Sequence, residues 1–395
     1  MKRSNYTRKA NSKGSRMARI VWHSCAPWAA SGYGSQTAIW IRKLVEMGHE
    51  VVVSTYWGLS GSVTQWNGIT ILPGFGPNYC TGSLGLHCQA IQPDLVITLG
   101  DIWVMDPNIL RELPIVHWLP DDCRPMSLAD RSCLDASGAK LMAMSKWGYD
   151  RFRAAGYNPV YVPHGIDTTV FSAEGDREAV RAELGVSNHF TIGMNAANND
   201  AVRKAIPEQM LAFAKLHEKY PDTVLALHTG VHQEGGQDLE VLAENLGLLD
   251  CIRAVDQYRY VSGLITPEDL RDWYQAIDVL SACSYGEGFG LPIIEAQACE
   301  TPVITTDASS MTELNPYGLQ VSGEPFWNGV HKGWWIRPSV AQLTEVYEKS
   351  YLSWKEGQQD NSKLREFAQQ YDKELVAEKY MAPAIEELLA RVGSV

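Results

Sequence analysis

Glu287 and Glu295 stand eight residues apart in the stretch SYGEGFGLPIIEAQACETPVITTD, around a single turn of chain. The expected strand Val279 to Cys283 feeds a Gly-rich loop, Ser284 to Gly290, and then a helix predicted over Pro292 to Cys299, where proline suits the first turn. Such a loop turns backbone N–H groups and a positive helix end toward an anion, which is a way to hold a diphosphate without a metal. A carboxylate accepts two hydrogen bonds from a vicinal diol. One glutamate therefore suits the hydroxyls of a sugar and the other those of a ribose, so the pair fits one extended ligand.

The same stretch, E-x7-E inside EGFGLPxxEAxAxxxPVI, resembles the signature of the large family of retaining GT-B glycosyltransferases, which includes sucrose-phosphate synthases and bacterial lipid mannosyltransferases. Two further segments carry the resemblance. MSKWGYDRFRAAGYNPVYVPHGIDTTVF, from Met144, resembles the family's passage between its two domains, and SGYGSQTAIWIRKLVEMGHEVVV its opening loop, helix and strand. Coverage is most of residues 18 to 345. The resemblance implies that Glu287 contacts the transferred sugar and Glu295 the ribose, with Gly288 and the Phe289, Gly290 and Leu291 backbone near diphosphate or sugar. The family also places an Arg and a Lys about five residues apart after the first strand of the second domain. In MNAANNDAVRKAIPEQ, Lys204 matches that Lys, Asn199 holds the Arg position, and the adjacent Arg203 is the expected substitute. Fixed cations lower the barrier to departure of a nucleoside diphosphate; a solvated pair opening a helix is the plainer alternative.

By the same resemblance His117, in PIVHWLPDD, sits at the end of a first-domain strand and faces the cleft near the donor sugar. Trp118 is its expected neighbour in the cleft wall. Asp121 and Asp122 form no D-x-D, so no metal is expected, and they read as a loop or acceptor-side feature. Gly32 and Gly34 would let backbone approach a phosphate. Taken alone, GYGSQT also opens a dinucleotide fingerprint, but the next strand, EVVVSTYWG, lacks the acid that holds an adenosine ribose. An NAD-dependent oxidoreductase is thus the second reading. A third is a catalytically silent sugar-binding or scaffold protein, favoured by Asn199, by Glu300 where a glycine is common, and by ASSMTE where a glycine pair often precedes Glu313.

The elements that must position these residues alternate as strand and helix. The predicted strands are Ala18 to Ser24, GHEVVVS, PDLVITL, LPIVHWL, KLMAMS and NPVYVP, then Phe190 to Met194, Thr223 to Thr229, Val279 to Cys283 and Pro302 to Thr306. Predicted helices cover Gln36 to Met47 (with apolar Ile39, Leu44 and Val45), Pro207 to Lys219, Gln237 to Leu246, Pro267 to Ala276 and Lys373 to Arg391. Strands without polar alternation indicate parallel sheets covered on both faces. The fold class is therefore α/β: GT-B, with two Rossmann-like domains facing across a cleft. Residues 1–17 form a basic leader expected to be disordered. Residues 18–163, with the C-terminal helix 373–395, form the acceptor-side domain, and 164–372 the nucleotide-sugar-binding domain.

The 395 residues exceed what one core organises, and 45% hydrophobic with 20% charged residues is the composition of a globular protein. No apolar run approaches the roughly 20 residues of a membrane-spanning helix; peripheral membrane contact stays open. Setting aside the leader's six positive charges takes the formal net charge from −12 to −18, a poor match for nucleic acid. Eight scattered cysteines without C-x-x-C read as small buried thiols in a reducing cytoplasm. The expected partner is a nucleotide diphosphate sugar, as co-substrate rather than cofactor, and the acceptor is open.

Overall fold

The computed structural model describes residues 17–357 and 361–392. The leader, except Met17, and the last three residues of the predicted C-terminal helix lie outside the described residues.

Two sheets organise the chain. The first contains β1 (Arg19–Cys25), β2 (Glu50–Trp57), β3 (Thr64–Trp66), β4 (Ile69–Leu72), β5 (Leu95–Leu99), β6 (Ile115–Leu119), β7 (Lys140–Ala143) and β8 (Val160–Tyr161), in the order β3-β4-β2-β1-β5-β6-β7-β8. All its pairings are parallel except β3 with β4. The second contains β9 (Phe190–Asn195), β10 (Thr223–His228), β11 (Ile252–Ala254), β12 (Val279–Ala282), β13 (Val303–Thr306) and β14 (Leu319–Val321), in the order β11-β10-β9-β12-β13-β14 and parallel throughout. An antiparallel hairpin, β15 (Gly323–Asn328) with β16 (Gly333–Pro338), follows. Strand order reverses beside β1 and beside β9, and such switch points leave a crevice at the carboxyl ends of the strands.

Burial explains the strand sequences. LVITL and IVHWL are buried at every residue, as required of central strands with helices on both faces. The helix Gly32–Glu46 begins four residues earlier than its periodicity suggests, because Ser31 caps it by accepting from the Gly34 N–H. Its inner stripe is Gln36, Thr37, Trp40, Ile41 and Leu44, whereas Val45 is exposed. The predicted continuous helix Lys373 to Arg391 is interrupted: a π turn, Ala377–Met381, separates Lys373–Val376 from Ala382–Val392. Pro383 has no N–H to continue an i to i−4 ladder, which accounts for the break.

One core runs beneath both sheets. Ile20, Trp22, Trp40, Leu95 and Ile97 share a cluster with Phe289, Ile293 and Tyr274 and with Ile385, Leu388 and Leu389 of the last helix. Trp118 belongs to this core rather than to a cleft wall. It is fully buried, edge-on to Trp22, Trp40 and His164, and donates from Nε1 to the Val162 carbonyl at 3.0 Å. The chain passes from one sheet to the other at Ile166 and returns at Asp372, and the two passages are bridged: Ile166 N–H donates to Tyr371 O and Lys373 N–H to Ile166 O.

Candidate functional site

The carboxyl ends of β1, β9 and β12 send three loops into the crevice. After β12 the chain turns through Cys283 to Gly290 into the helix Leu291–Ala298, and Gly290 makes the turn with φ 111°, a left-handed value that glycine adopts without strain. After β9 a longer loop ends at Ala205, φ 48°, where the helix Ile206–Lys219 starts. Arg203 and Lys204 sit at that start and converge on one carboxylate. Arg203 Nη1 lies 3.1 Å from Glu287 Oε2 and Lys204 Nζ 2.5 Å from Oε1. Ser284 Oγ donates to the same Oε1.

The electrostatics follow from this convergence. Burial pushes the Glu287 carboxyl up, but Lys204 and Arg203 more than reverse that, holding it down at about 2. Lys204 is shifted down, first by burial and then by the Arg203 charge, against the pull of Glu287. Glu295 behaves oppositely. Burial raises it to about 7, partly offset by Tyr274, whose hydroxyl donates to Oε2 at 2.8 Å and accepts from Asn195 Nδ2 at 2.7 Å. A small cavity joins Asn195, Lys204, Ser284, Glu287 and Gly290. Glu295 is linked to its edge through the Tyr274 hydroxyl and Asn195.

The other expected residues are distributed unevenly. Gly32 begins its helix opposite Leu291, and a Cβ on it would lie 3.3 Å from Leu291 Cδ1. Two helix N-termini, with their free N–H groups and positive dipole ends, thus face each other across the crevice. Gly34 is needed for local packing, because a Cβ there would stand 2.1 Å from the Ala29 carbonyl oxygen. Gly288 and Gly286 are pressed against the first sheet's loop: added Cβ atoms would lie 2.4 Å from Pro120 Cβ and 2.4 Å from Asp122 O. Phe289 is buried, its ring edge-on to His164 at 5.1 Å, and its carbonyl accepts from Ser310 Oγ. Asn199 is exposed in the loop ahead of Arg203, and the Glu287 cation pair is made by Arg203 and Lys204.

His117 is not where the resemblance put it. β6 continues through Leu119, which leaves His117 in mid-strand, fully buried, with Nδ1 against Thr98 Oγ1 at 2.5 Å. Burial pushes its imidazole down to about 3. The segment that leaves the strand end and meets the Gly-rich loop is Pro120 to Asp122.

Several contributors escaped the sequence reading. Ser309, φ 50°, accepts from the Glu287 N–H, and Ser310 Oγ donates to the Glu287 and Phe289 carbonyls, so ASSMTE pins the Gly-rich loop from behind. Glu313 accepts from the N–H groups of Lys146 and Trp147, at the start of the helix Lys146–Ala154, and so ties the second sheet's loop to the first half. Trp335 Nε1 donates to Asp122 Oδ1 at 3.0 Å, and Arg124 bridges Trp334 backbone to backbone, which seats the β15–β16 hairpin over the same end. Asp122 and Asp101 face Arg203 from the first half, close enough for their charges to act on it, and the neutral Tyr33 phenol lies beside them. The NG turn between two aromatic-rich segments was the available hairpin signal. Among the described residues, no group of three or more His, Cys, Asp or Glu is arranged to hold a metal, all eight cysteines are unpaired and buried, and no helix is long and apolar enough to cross a membrane.

Residues 197–325 match the family described as Glycosyl transferases group 1. A D-inositol 3-phosphate glycosyltransferase of Corynebacterium jeikeium (strain K411) is 36% identical over 173 residues, 41% of this chain and 39% of that protein. The lipopolysaccharide core biosynthesis mannosyltransferase LpsB of Rhizobium meliloti (strain 1021) is 27% identical over 162 residues, 40% of this chain and 44% of its own. The chain thus spans roughly two fifths of the length of these curated relatives. Two solved structures extend the likeness to nearly the whole chain. Anabaena Alr3699/HepE in complex with UDP-glucose has a TM-score of 0.68 at 16% identity, covering 96% of this chain and all of that one. The sucrose-phosphate synthase (tll1590) from Thermosynechococcus elongatus has 0.72 at 19%, covering 94% and 100%. The fold is GT-B, and the second half carries the group 1 glycosyl transferase segment.

Proposed function

We propose that this chain is a retaining glycosyltransferase that moves a hexose-type sugar from a UDP or GDP donor to an acceptor hydroxyl, without a metal. The observation that carries the reading is the convergence of Arg203 and Lys204 on Glu287 at the Gly-rich turn. In the free protein Glu287 pairs with both cations and leaves one positive charge uncompensated by it. An entering diphosphate competes for them, and the carboxylate so released from the pair is free to accept bonds from sugar hydroxyls.

As the bond from the anomeric carbon to the diphosphate oxygen breaks, charge grows on the leaving group, where Arg203, Lys204 and the N-terminus of Leu291–Ala298 stabilise it. The acceptor oxygen then bonds to the anomeric carbon on the same face, and its proton passes to a leaving phosphate oxygen. Glu295, with Tyr274 and Asn195, holds the ribose. Catalysis is thus positioning and electrostatics. HepE's complex with UDP-glucose and the LpsB mannosyltransferase support a sugar donor of this type, and the unpaired thiols suit a reducing cytoplasm.

Mass spectrometry of purified protein against UDP, GDP, ADP and dTDP sugars tests this. Slow release of free sugar from a UDP or GDP donor is expected, and Lys204→Ala should lower turnover by about 100-fold or more. Normal turnover in both Lys204→Ala and Glu287→Ala would refute the assignment.

A further inference from the structure

Opposite the cation pair, the first half presents carboxylates and aromatic rings. Asp101 follows β5, Asp122 follows β6, and the Arg203 charge acts on both. The strongest positive influence on Asp101 is Arg203, already engaged by Glu287, and His331 of the hairpin lies near it. From there an aromatic edge continues. The Trp103 ring is 5.7 Å from His331, His331 is 5.8 Å from Trp335, and Trp335 Nε1 holds Asp122. Trp103 is 39% exposed, a large face open to a ligand. Beside the two aspartates lies Asp130, 5% exposed, whose Oδ1 is buried with no hydrogen-bond partner and so offers an unused acceptor.

Half-buried carboxylates accept paired bonds from vicinal hydroxyls, and exposed indoles stack on the apolar faces of sugar rings. A phosphorylated acceptor would instead set its charge against Asp101 and Asp122, while Asp130, which burial raises to about 8, keeps its proton and adds a polar but uncharged group. We infer that the groove between Asp101, Asp122 and the β15–β16 hairpin binds a neutral saccharide as acceptor, in contrast to the phosphorylated polyol in the names of several relatives. The inference rests on the glycosyl-transfer reading and deepens it.

Tryptophan fluorescence and calorimetry on the full chain with saturating UDP test it, using methyl glucoside, methyl mannoside, maltotriose and mannobiose as neutral probes and inositol 1-phosphate as the anionic one. At least one neutral probe should bind saturably and quench fluorescence. Trp103→Ala and Asp122→Asn should each weaken it tenfold or more, and inositol 1-phosphate should bind at least tenfold more weakly. Trp103 is exposed, so its variant keeps the test available if Asp122→Asn does not fold. Tighter binding of inositol 1-phosphate, no binding of any neutral probe, or neutral binding indifferent to Trp103→Ala would each overturn the inference. UDP binding that depends on Lys204, measured beforehand without acceptor, separates these failures from failure of the donor-site reading.

Discussion

Glu295 carries the most testable proton in the molecule. Its carboxyl is raised from the ordinary 4.5 to about 7 by burial, so between those values the folded chain holds a proton that the unfolded chain has released. Stability from this group is therefore fully present below pH 4.5 and declines as pH rises toward 7. Bonding to ribose hydroxyls favours the ionised form. Binding of UDP-glucose, whose diphosphate has no group titrating near neutrality, should thus release most of one proton at pH 6 and little at pH 8.5, as read by calorimetry in buffers of different ionisation enthalpy. Glu295→Gln should abolish the difference; an unchanged difference would mean the proton comes from elsewhere. Glu287, Glu295 and the Arg203–Lys204 pair were legible because each lies within one continuous segment whose spacing survives folding. His117 was misplaced because the end of a fully buried strand has no marker within IVHWL, and Pro120 is the first residue that stops it. Tyr33 and Asp101 were invisible as partners of Arg203, since only tertiary approach brings them near. Ala205, Glu300 and Ser309 all have left-handed φ angles, of 48°, 61° and 50°. At Glu300 and Ser309 the departures from family glycines therefore fall where the backbone does favour glycine, at a cost of roughly 1 kcal/mol each.

Among the elements, the helix Arg177–Glu183 is fastened to the second sheet by charge. Asp278 accepts from Arg177 Nη2 at 2.6 Å and from the Thr191 N–H at 2.8 Å, with Arg181 Nη1 at 3.3 Å. Arg181 is 3% exposed at its side chain and also donates to the Ala276, Val186 and His189 carbonyls. Removing one partner of such a pair leaves a buried charge, so Asp278→Ala should cost about 3–5 kcal/mol. Urea unfolding measures this, and a loss below about 1 kcal/mol would show that the backbone carbonyls alone satisfy Arg181. The alternating βα units were legible from apolar runs and Gly or Pro punctuation. The β3–β4 pair and the β15–β16 hairpin were not, because short edge strands with exposed residues carry little period-2 signal: Trp66 and Trp327 read as easily as core. The π turn was hidden for a different reason. A helix periodicity that is right on both sides of Pro383 conceals a change of ladder between them.

At the scale of the whole molecule, the two-sheet architecture was legible from the restart of strand and helix alternation after Asp167. The crossing back at Asp372 was not, since nothing local marks a segment that pairs with residues some two hundred positions earlier. Beside that double crossing, Glu313, the hairpin and the Gly-rich loop also meet the first half. The loop's contacts at Gly286 and Gly288 are equally close, and at Gly288 there is no space for a single methyl group beside Pro120. Gly288→Ala should therefore act as a shim, holding the lobes a fraction of an ångström apart. Nucleotide affinity should change less than threefold, while sugar transfer, which needs both lobes on the reacting atoms, should fall by about 100-fold, the scale expected for misplacement of about 1 Å. Equal losses in both would mean that the side chain disturbs only its own loop. A mouth machined to that tolerance sets its gauge by what it leaves out, and the smallest residue becomes the one that fixes how far the jaws may shut.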